Sequence, residues 1–111
     1  MASAFDPHLN EIFVANYGSG TVSVISDATN KVIATITVGS YPNGIAFDSH
    51  LNEVFVTNLK SGTVSVISDA TNTVIATITG FNGPYGVAFD SNKNEVFVTN
   101  SGSNTVSVIP G

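Results

Sequence analysis

The sequence predicts an all-β repeat protein, and three observations carry that prediction. One pattern recurs every 42 residues without insertion, so that Asn10, Asn52 and Asn94 hold the same position in three copies. Each copy contains β-branched runs with period-2 alternation, bounded by Gly, Asn, Asp and Ser, which is typical of strands and turns. No segment of ten or more residues has the apolar period of a helix. A fixed period of this length indicates an architecture in which each copy packs on the next.

Each copy is predicted to form four short strands, A to D, in an antiparallel order. Strand A (2–6, 44–48, 86–90) ends in an Asp whose carboxylate can accept turn N–H groups, and the turn after it ends in an Asn that tolerates left-handed backbone. Strand B (11–16, 53–58, 95–100) is almost continuously apolar in its middle, which indicates burial on both faces. Strand C (21–26, 63–68, 105–109) alternates Thr or Ser with Val. Strand D (32–37, 74–79) is missing from the third copy, which leaves eleven strands.

Four antiparallel strands in each period of about 40–45 residues are typical of a β-propeller blade. The single array 1–111 then divides into blade 1 (2–38), blade 2 (44–80) and a partial blade 3 (86–109), about two and three-quarter blades. The runs Phe-Val-Thr-Asn, Ser-Gly-Thr-Val-Ser-Val-Ile and Val-Ile-Ala-Thr-Ile resemble the YVTN family of β-propeller repeats, with Phe in place of the leading Tyr and Ala15 in place of the Thr of the first copy. This resemblance implies a propeller of the kind found in surface-layer and other extracellular proteins, located at the cell surface or outside the cell, and it implies no catalytic motif.

The incomplete blade count predicts that the ring is closed by oligomerisation. Propellers close at roughly four to eight blades, so one chain is too short and three chains give too many. Two chains give six blades, which predicts a homodimeric six-bladed ring with two-fold symmetry. A fragment cut from a longer propeller is the main alternative, and a β-solenoid stack is a further one.

Composition excludes several classes of partner. The chain has three Lys and no Arg, and its net charge is −5, which argues against a nucleic-acid groove. No apolar run approaches the roughly 18 residues of a membrane span, so we expect no membrane insertion. The N-terminus lacks the pattern of a signal peptide. Cysteine is absent, which removes disulfides and thiolate sites, and no cofactor is expected.

The candidate ligand site lies on the face that carries the B–C loops and the D–A links. Between residues 9–37 and 51–79, 24 of 29 positions are identical, and three of the five differences (15/57, 17/59 and 18/60) fall in or beside the B–C loop. Exposed aromatic side chains on this face would suit stacking on a glycan or gripping a peptide. Loops also vary simply because nothing packs on them. The four candidates are Tyr17, Tyr41, Phe81 and Tyr85.

The repeated polar residues are expected to be structural, with no catalytic group and no bound metal. A metal held by turn histidines is disfavoured because His8 and His50 belong to different blades and the third copy has Asn92. Carboxylates that recur in every copy fit turns better than a calcium site or an acid/base pair, because catalysis usually breaks repeat symmetry. These carboxylates are Asp6, Asp48, Asp90, Glu11, Glu53 and Glu95. The predicted function is therefore a non-enzymatic structural or interaction scaffold. The alternative is a lactonase-like or lyase-like propeller enzyme with a metal at its central channel.

Overall fold

The computed structural model describes residues 2–111, which form eleven β-strands and, within that range, no helix. The bounds of strands B and C agree with the prediction, apart from one extra residue at the end of the last strand C. Strand A of the second and third copies begins two residues earlier, at Pro42 and Pro84, because a register shift lets each proline pair with the next strand. In the described range no helix is long and apolar enough to cross a membrane. The strands are β1 (Ser3–Asp6), β2 (Glu11–Asn16), β3 (Thr21–Ser26), β4 (Lys31–Thr37), β5 (Pro42–Asp48), β6 (Glu53–Asn58), β7 (Thr63–Ser68), β8 (Thr73–Ile78), β9 (Pro84–Asp90), β10 (Glu95–Asn100) and β11 (Thr105–Pro110).

The strands form three antiparallel sheets, which confirms the all-β prediction. The first sheet has the order β1-β2-β3-β4, the second β5-β6-β7-β8 and the third β9-β10-β11. Each is a simple meander, because neighbouring strands are joined by turns of a few residues. The predicted left-handed asparagines are present in the turns after β1, β5 and β9, where Asn10, Asn52 and Asn94 have φ of 55°, 55° and 53°.

The three sheets stack in sequence order and fan out from one side. The first strands of the sheets lie against one another, with β5 in contact with both β1 and β9. The last strands, β4 and β8, barely touch. The sheets are therefore close together at their first strands and separate toward their last strands.

Two apolar layers fill the spaces between the sheets. Phe13, Val22 and Val24 of the first sheet meet Val54 and Ile67 of the second, and all five are fully buried. The other face of the second sheet packs on the third through a second layer. Successive strand residues point to opposite faces, so β6 and β7 of the second sheet are buried on both of their faces. The outer strand β8 is largely exposed.

Candidate functional site

An open groove of about 410 Å³ lies at one end of the stack, between the first and second sheets. It is formed by the β2–β3 loop, the β4–β5 link and the β6–β7 loop. The amide of Val38 in the link donates a hydrogen bond of 3.0 Å to the carbonyl of Gly20, so the loop and the link lie side by side as the sequence predicted. The volume falls within the range of roughly 300–1,000 Å³ that is usual for ligand pockets.

Two of the four predicted aromatic residues meet in this groove. The rings of Tyr17 and Tyr41 are stacked, with centroids 4.7 Å apart and planes 14° apart. The ammonium of Lys60 lies 5.2 Å from the centroid of Tyr41, within the range of a cation–π contact. At the equivalent positions one period later the chain has Leu59, Gly83 and Gly102. The groove is thus lined by aromatic rings at the first interface between sheets, whereas the corresponding positions of the second interface are aliphatic or glycine.

Tyr41 holds a backbone conformation that its side chain disfavours. Its φ is 56°, in the left-handed region, and every other non-glycine residue with positive φ in the described chain is an asparagine. The equivalent position in the next copy is Gly83, with φ of 61°. The link therefore requires left-handed backbone at this point, and in the first copy a tyrosine adopts it at a cost of roughly 1–2 kcal/mol.

The other two predicted residues lie elsewhere. Phe81 is half-buried against the apolar layer between the second and third sheets, so it does not present a free ring to a ligand. Tyr85 is exposed on β9 and lines a separate depression with Ala2 and Asn43, between the first strands of the sheets. The four aromatic residues do not form one surface.

A second group of candidate side chains, the Asp6 cluster, lies at the opposite end of the first interface. Asp6, the last residue of β1, and His8, in the turn after it, meet Asp69, in the turn after β7. His8 Nδ1 lies 2.9 Å from Asp69 Oδ2, and one ligand atom from each residue lies within 4.8 Å of the other two. Both carboxyl groups are almost completely buried, while the His8 side chain is half exposed. The cluster offers one imidazole nitrogen and two carboxylate oxygens, a set that can hold either protons or a metal ion.

The two carboxylate oxygens of Asp6 have different roles. Oδ1 accepts the backbone N–H groups of His8 and Leu9, at 2.9 and 3.3 Å, which is the predicted turn role. Oδ2 is buried and has no hydrogen-bond partner among residues 2–111. Burial and the neighbouring Asp69 carboxyl raise the pKa of Asp6 to about 6. The hydrogen bond to Asp69 raises the pKa of His8.

The second interface has the equivalent aspartate and histidine, Asp48 and His50, but no carboxylate at the position equivalent to Asp69. His50 Nδ1 contacts the carbonyl oxygen of Gly111 at 3.3 Å, over the same sequence separation of 61 residues as His8 and Asp69. Asp48 Oδ2 is also buried and unpaired within the described chain. Gly111 supplies no side chain, so the carboxylate that Asp69 brings to the first interface has no counterpart.

Two contacts between sheets were not predicted from the sequence. His8 is half exposed in its turn, and its ring also pairs with the buried Asp69 carboxylate of the neighbouring sheet. Thr57 differs from the equivalent Ala15 beside the B–C loop, and both residues are fully buried in their strands. Thr57 Oγ1 accepts the N–H of Gly44 and donates to the carbonyl of Tyr85, so it joins the second sheet to the third. The sequence carried no signal for either contact, because both connect positions that are not equivalent in the repeat.

Comparisons with known proteins identify a solved structure of similar fold but assign the chain to no family. No protein-family model matches the chain. It is 50% identical over 51 residues to the PE-PGRS family protein PE_PGRS18 of Mycobacterium tuberculosis (strain ATCC 25618 / H37Rv), a match that covers 40% of this chain and 11% of that protein. Among solved structures it is similar to the hydrazine synthase of Kuenenia stuttgartiensis, with a TM-score of 0.89 and 23% identity over 97% of this chain and 31% of that one. The chain thus spans about a tenth and a third of the two proteins, and the structural likeness concerns the fold alone.

Proposed function

We propose that this chain is a non-enzymatic β-propeller module that acts as an interaction scaffold at a cell surface or outside the cell, and that the groove between its first two sheets binds a ligand. Three antiparallel meanders that fan out from their first strands support the propeller assignment. The location rests on the resemblance of the repeats to surface-layer propellers. The groove is the part of the stack where aromatic and charged side chains stand at positions that hold aliphatic residues and glycine one period later.

The observation that carries the ligand site is the strained Tyr41. A glycine would adopt the same backbone without strain, as Gly83 does one period later. Strained residues persist where the surroundings hold them, and they cluster at sites of function. Here the strain places a tyrosine ring against Tyr17 and beside Lys60, at the mouth of an open groove.

The lining of the groove favours a glycan over a peptide. Besides the aromatic pair it presents the short polar side chains Ser19, Thr37, Ser40 and Ser61 and several glycines, with Lys60 as its one charged residue. Hydroxyls and backbone amides suit the hydroxyl groups of a sugar, and an aromatic ring suits its apolar face. Val38 is the one aliphatic residue in the lining, so the groove offers little apolar surface to the side chains of a peptide.

Tyrosine fluorescence provides a direct test, because the chain has three tyrosines and no tryptophan. Titration with a panel of soluble oligosaccharides should change the emission, and Tyr41→Gly should weaken binding at least tenfold, or about 1.4 kcal/mol. The matched control is Leu59→Ala, at the position equivalent to Tyr17 but outside the groove. Equal affinity in Tyr41→Gly and the wild-type chain would refute the site, and binding of short peptides alone would replace the glycan with a peptide.

Self-association is the second function that the geometry favours. Val106 and Val108 on the outer face of the third sheet are 60% and 51% exposed, whereas the equivalent Val64 and Val66 of the second sheet are 0% and 5% exposed. Those two residues pack on the sheet that follows. The third sheet therefore presents an apolar surface shaped for one more sheet.

The first sheet presents the matching surface at the other end of the stack. Ile12 and Ile25 are only partly buried, while the equivalent Val54 and Ile67 are fully buried against the sheet that precedes them. The outer face of the third sheet and the outer face of the first sheet thus carry apolar residues equivalent to those that pack between consecutive sheets within the chain. A second copy docked in both directions would give the homodimeric six-bladed ring.

Light scattering on a sizing column tests this assembly. We expect the mass of two chains, and we expect Val106→Lys with Val108→Lys to give one chain. The control is Ile75→Lys, because Ile75 is 51% exposed but lies on β8, the outer strand of the middle sheet, and not on either end face of the stack. A monomeric wild-type chain would refute the ring and favour a fragment of a longer propeller.

A further inference from the structure

Asp6, His8 and Asp69 form a cluster at the turn end of the first interface, and the proposed scaffold role does not require it. Asp6 and His8 come from the first sheet and Asp69 from the second, and their ligand atoms lie within 4.8 Å of one another. Ligands on one Zn²⁺ at bonds of 2.0–2.2 Å lie about 3–4 Å from each other, so small side-chain adjustments bring the three atoms onto one ion. An imidazole and carboxylates form a ligand set that suits divalent transition metals.

The unpaired oxygen of Asp6 is the second, independent observation. Asp6 is completely buried, and the turn amides occupy only Oδ1. Oδ2 accepts no hydrogen bond within residues 2–111, and the buried Asp69 carboxyl beside it can pair with it only when one of the two groups is protonated. A buried carboxylate oxygen without a partner is costly, and such groups in proteins are usually paired or bound to a metal.

We propose that Asp6, His8 and Asp69 bind one divalent transition-metal ion, with Zn²⁺ as the reference ion, and that the ion clamps the first sheet to the second. The three ligands span two sheets, so binding opposes their separation. The half-exposed edge of His8 leaves the site accessible, so water completes the coordination. The site is independent of the proposed ligand groove, which lies at the other end of the same interface.

The chain contains its own control for this assignment. Asp48 and His50 occupy the same turn in the second copy, but Gly111 stands where Asp69 would be. The third copy replaces the histidine itself by Asn92. One ion per chain is therefore expected, and His8→Asn copies a residue that this turn already accepts.

Isothermal titration of the untagged, chelator-treated 111-residue chain with Zn²⁺ tests the proposal. We expect one ion per chain, a visible absorption band when Co²⁺ is used instead, and a higher melting temperature in Zn²⁺ than in chelator. Removing a group that only orients a metal ligand typically lowers metal affinity 10–100-fold. His8 and Asp69 are proposed to be ligands themselves, so we expect His8→Asn and Asp69→Asn to lower the affinity for Zn²⁺ by at least that factor. His50→Asn should bind as the wild-type chain does.

Four results would overturn the site. The first is absence of Zn²⁺ binding to the wild-type chain, which would mean that the two carboxyl groups share a proton instead. The second and third are wild-type affinity in His8→Asn and loss of affinity in His50→Asn. The fourth is a set of amide shifts that lies away from the cluster. The last measurement uses the wild-type chain and so does not depend on the folding of any variant. Zn²⁺ should shift the amide resonances of residues 6–9 and 69–72 in the ¹H–¹⁵N spectrum, and shifts confined to other residues would contradict the assignment.

Discussion

The hydroxyl of Thr57 joins the second sheet to the third, and its removal tests how the stack is held together. Thr57 is completely buried. Its Oγ1 accepts the N–H of Gly44 at 2.8 Å and donates to the carbonyl of Tyr85 at 2.7 Å, so one hydroxyl links β6 to β5 and to β9. Valine has nearly the same shape but no hydroxyl. Thr57→Val therefore keeps the packing and removes both hydrogen bonds.

The expected loss follows from the two backbone groups that lose their partner. The N–H of Gly44 stays buried without a partner, which costs about 1–3 kcal/mol. The carbonyl of Tyr85 adds less, because its bond to Thr57 is only partly buried and Tyr85 is half exposed. We therefore expect Thr57→Val to lower the free energy of unfolding by about 1–3 kcal/mol, out of a total stability of about 5–15 kcal/mol for a domain of this size. The melting temperature should fall by roughly 5–15 °C.

Urea unfolding followed by circular dichroism measures the change, and Thr99→Val is the matched control. Both variants are made in the Val106→Lys, Val108→Lys chain, which we expect to be monomeric, so that no second copy covers Thr99. Thr99 Oγ1 accepts the N–H of Gly86 at 2.8 Å but is exposed and bonds only within its own sheet. Its loss should cost less than about 1 kcal/mol. A Thr57→Val chain within about 0.5 kcal/mol of its parent chain, or an equal loss of stability in the two variants, would contradict the role assigned to the Thr57 hydroxyl.

Three further predictions concern single residues. Gly44→Ala should destabilise the chain by about 1–3 kcal/mol, because a Cβ added at this position would overlap the carbonyl oxygen of Tyr85, and a wild-type melting temperature would contradict this. Tyr41→Gly should stay within about 1 kcal/mol of the wild-type chain, because release of left-handed strain offsets the lost ring stack, while Tyr41→Ala keeps the strain and should be less stable. Burial and the Asp48 carboxylate raise the pKa of Glu53 above its ordinary value of 4.5. A raised folded-state pKa favours folding at low pH, and this contribution is lost as the pH rises through the folded-state pKa, so Glu53→Gln should raise the melting temperature more at pH 7 than at pH 4. If Glu53→Gln raised the melting temperature more at pH 4 than at pH 7, the direction of the Glu53 pKa shift would be contradicted.

The strands and turns could be predicted because short patterns determine them. Alternation of Thr and Val produced β3, β7 and β11, and the left-handed asparagines closed the turns as expected. The same local rules predicted that the β2–β3 loop and the β4–β5 link share one end of the stack. Such features depend on residues within one copy, and each copy repeats the evidence.

The contacts between copies could not be predicted in the same way. His8 and Asp69 are 61 residues apart, which is one period plus the distance between two different turns. Aligning the copies compares equivalent positions, so it gives no information about a contact between positions that are not equivalent. The sequence predicted Tyr41 as an exposed aromatic residue of the ligand site. The strain that distinguishes it from Gly83 is a property of the backbone, which the residue type alone does not reveal.

Differences between the copies depend on the place of each copy in the stack. Thr57 bridges the second interface, whereas the equivalent Ala15 has no hydroxyl to bridge the first. The first interface instead has an aromatic groove at one end and the Asp6 cluster at the other. The second interface is thus joined by the buried Thr57 hydroxyl, which bonds to backbone groups, and the first by side chains that we propose to bind a ligand and an ion. A ligand or an ion that binds this chain should therefore stabilise the first interface more than the second, and amide exchange should slow in β1–β4 before it slows in β9–β11.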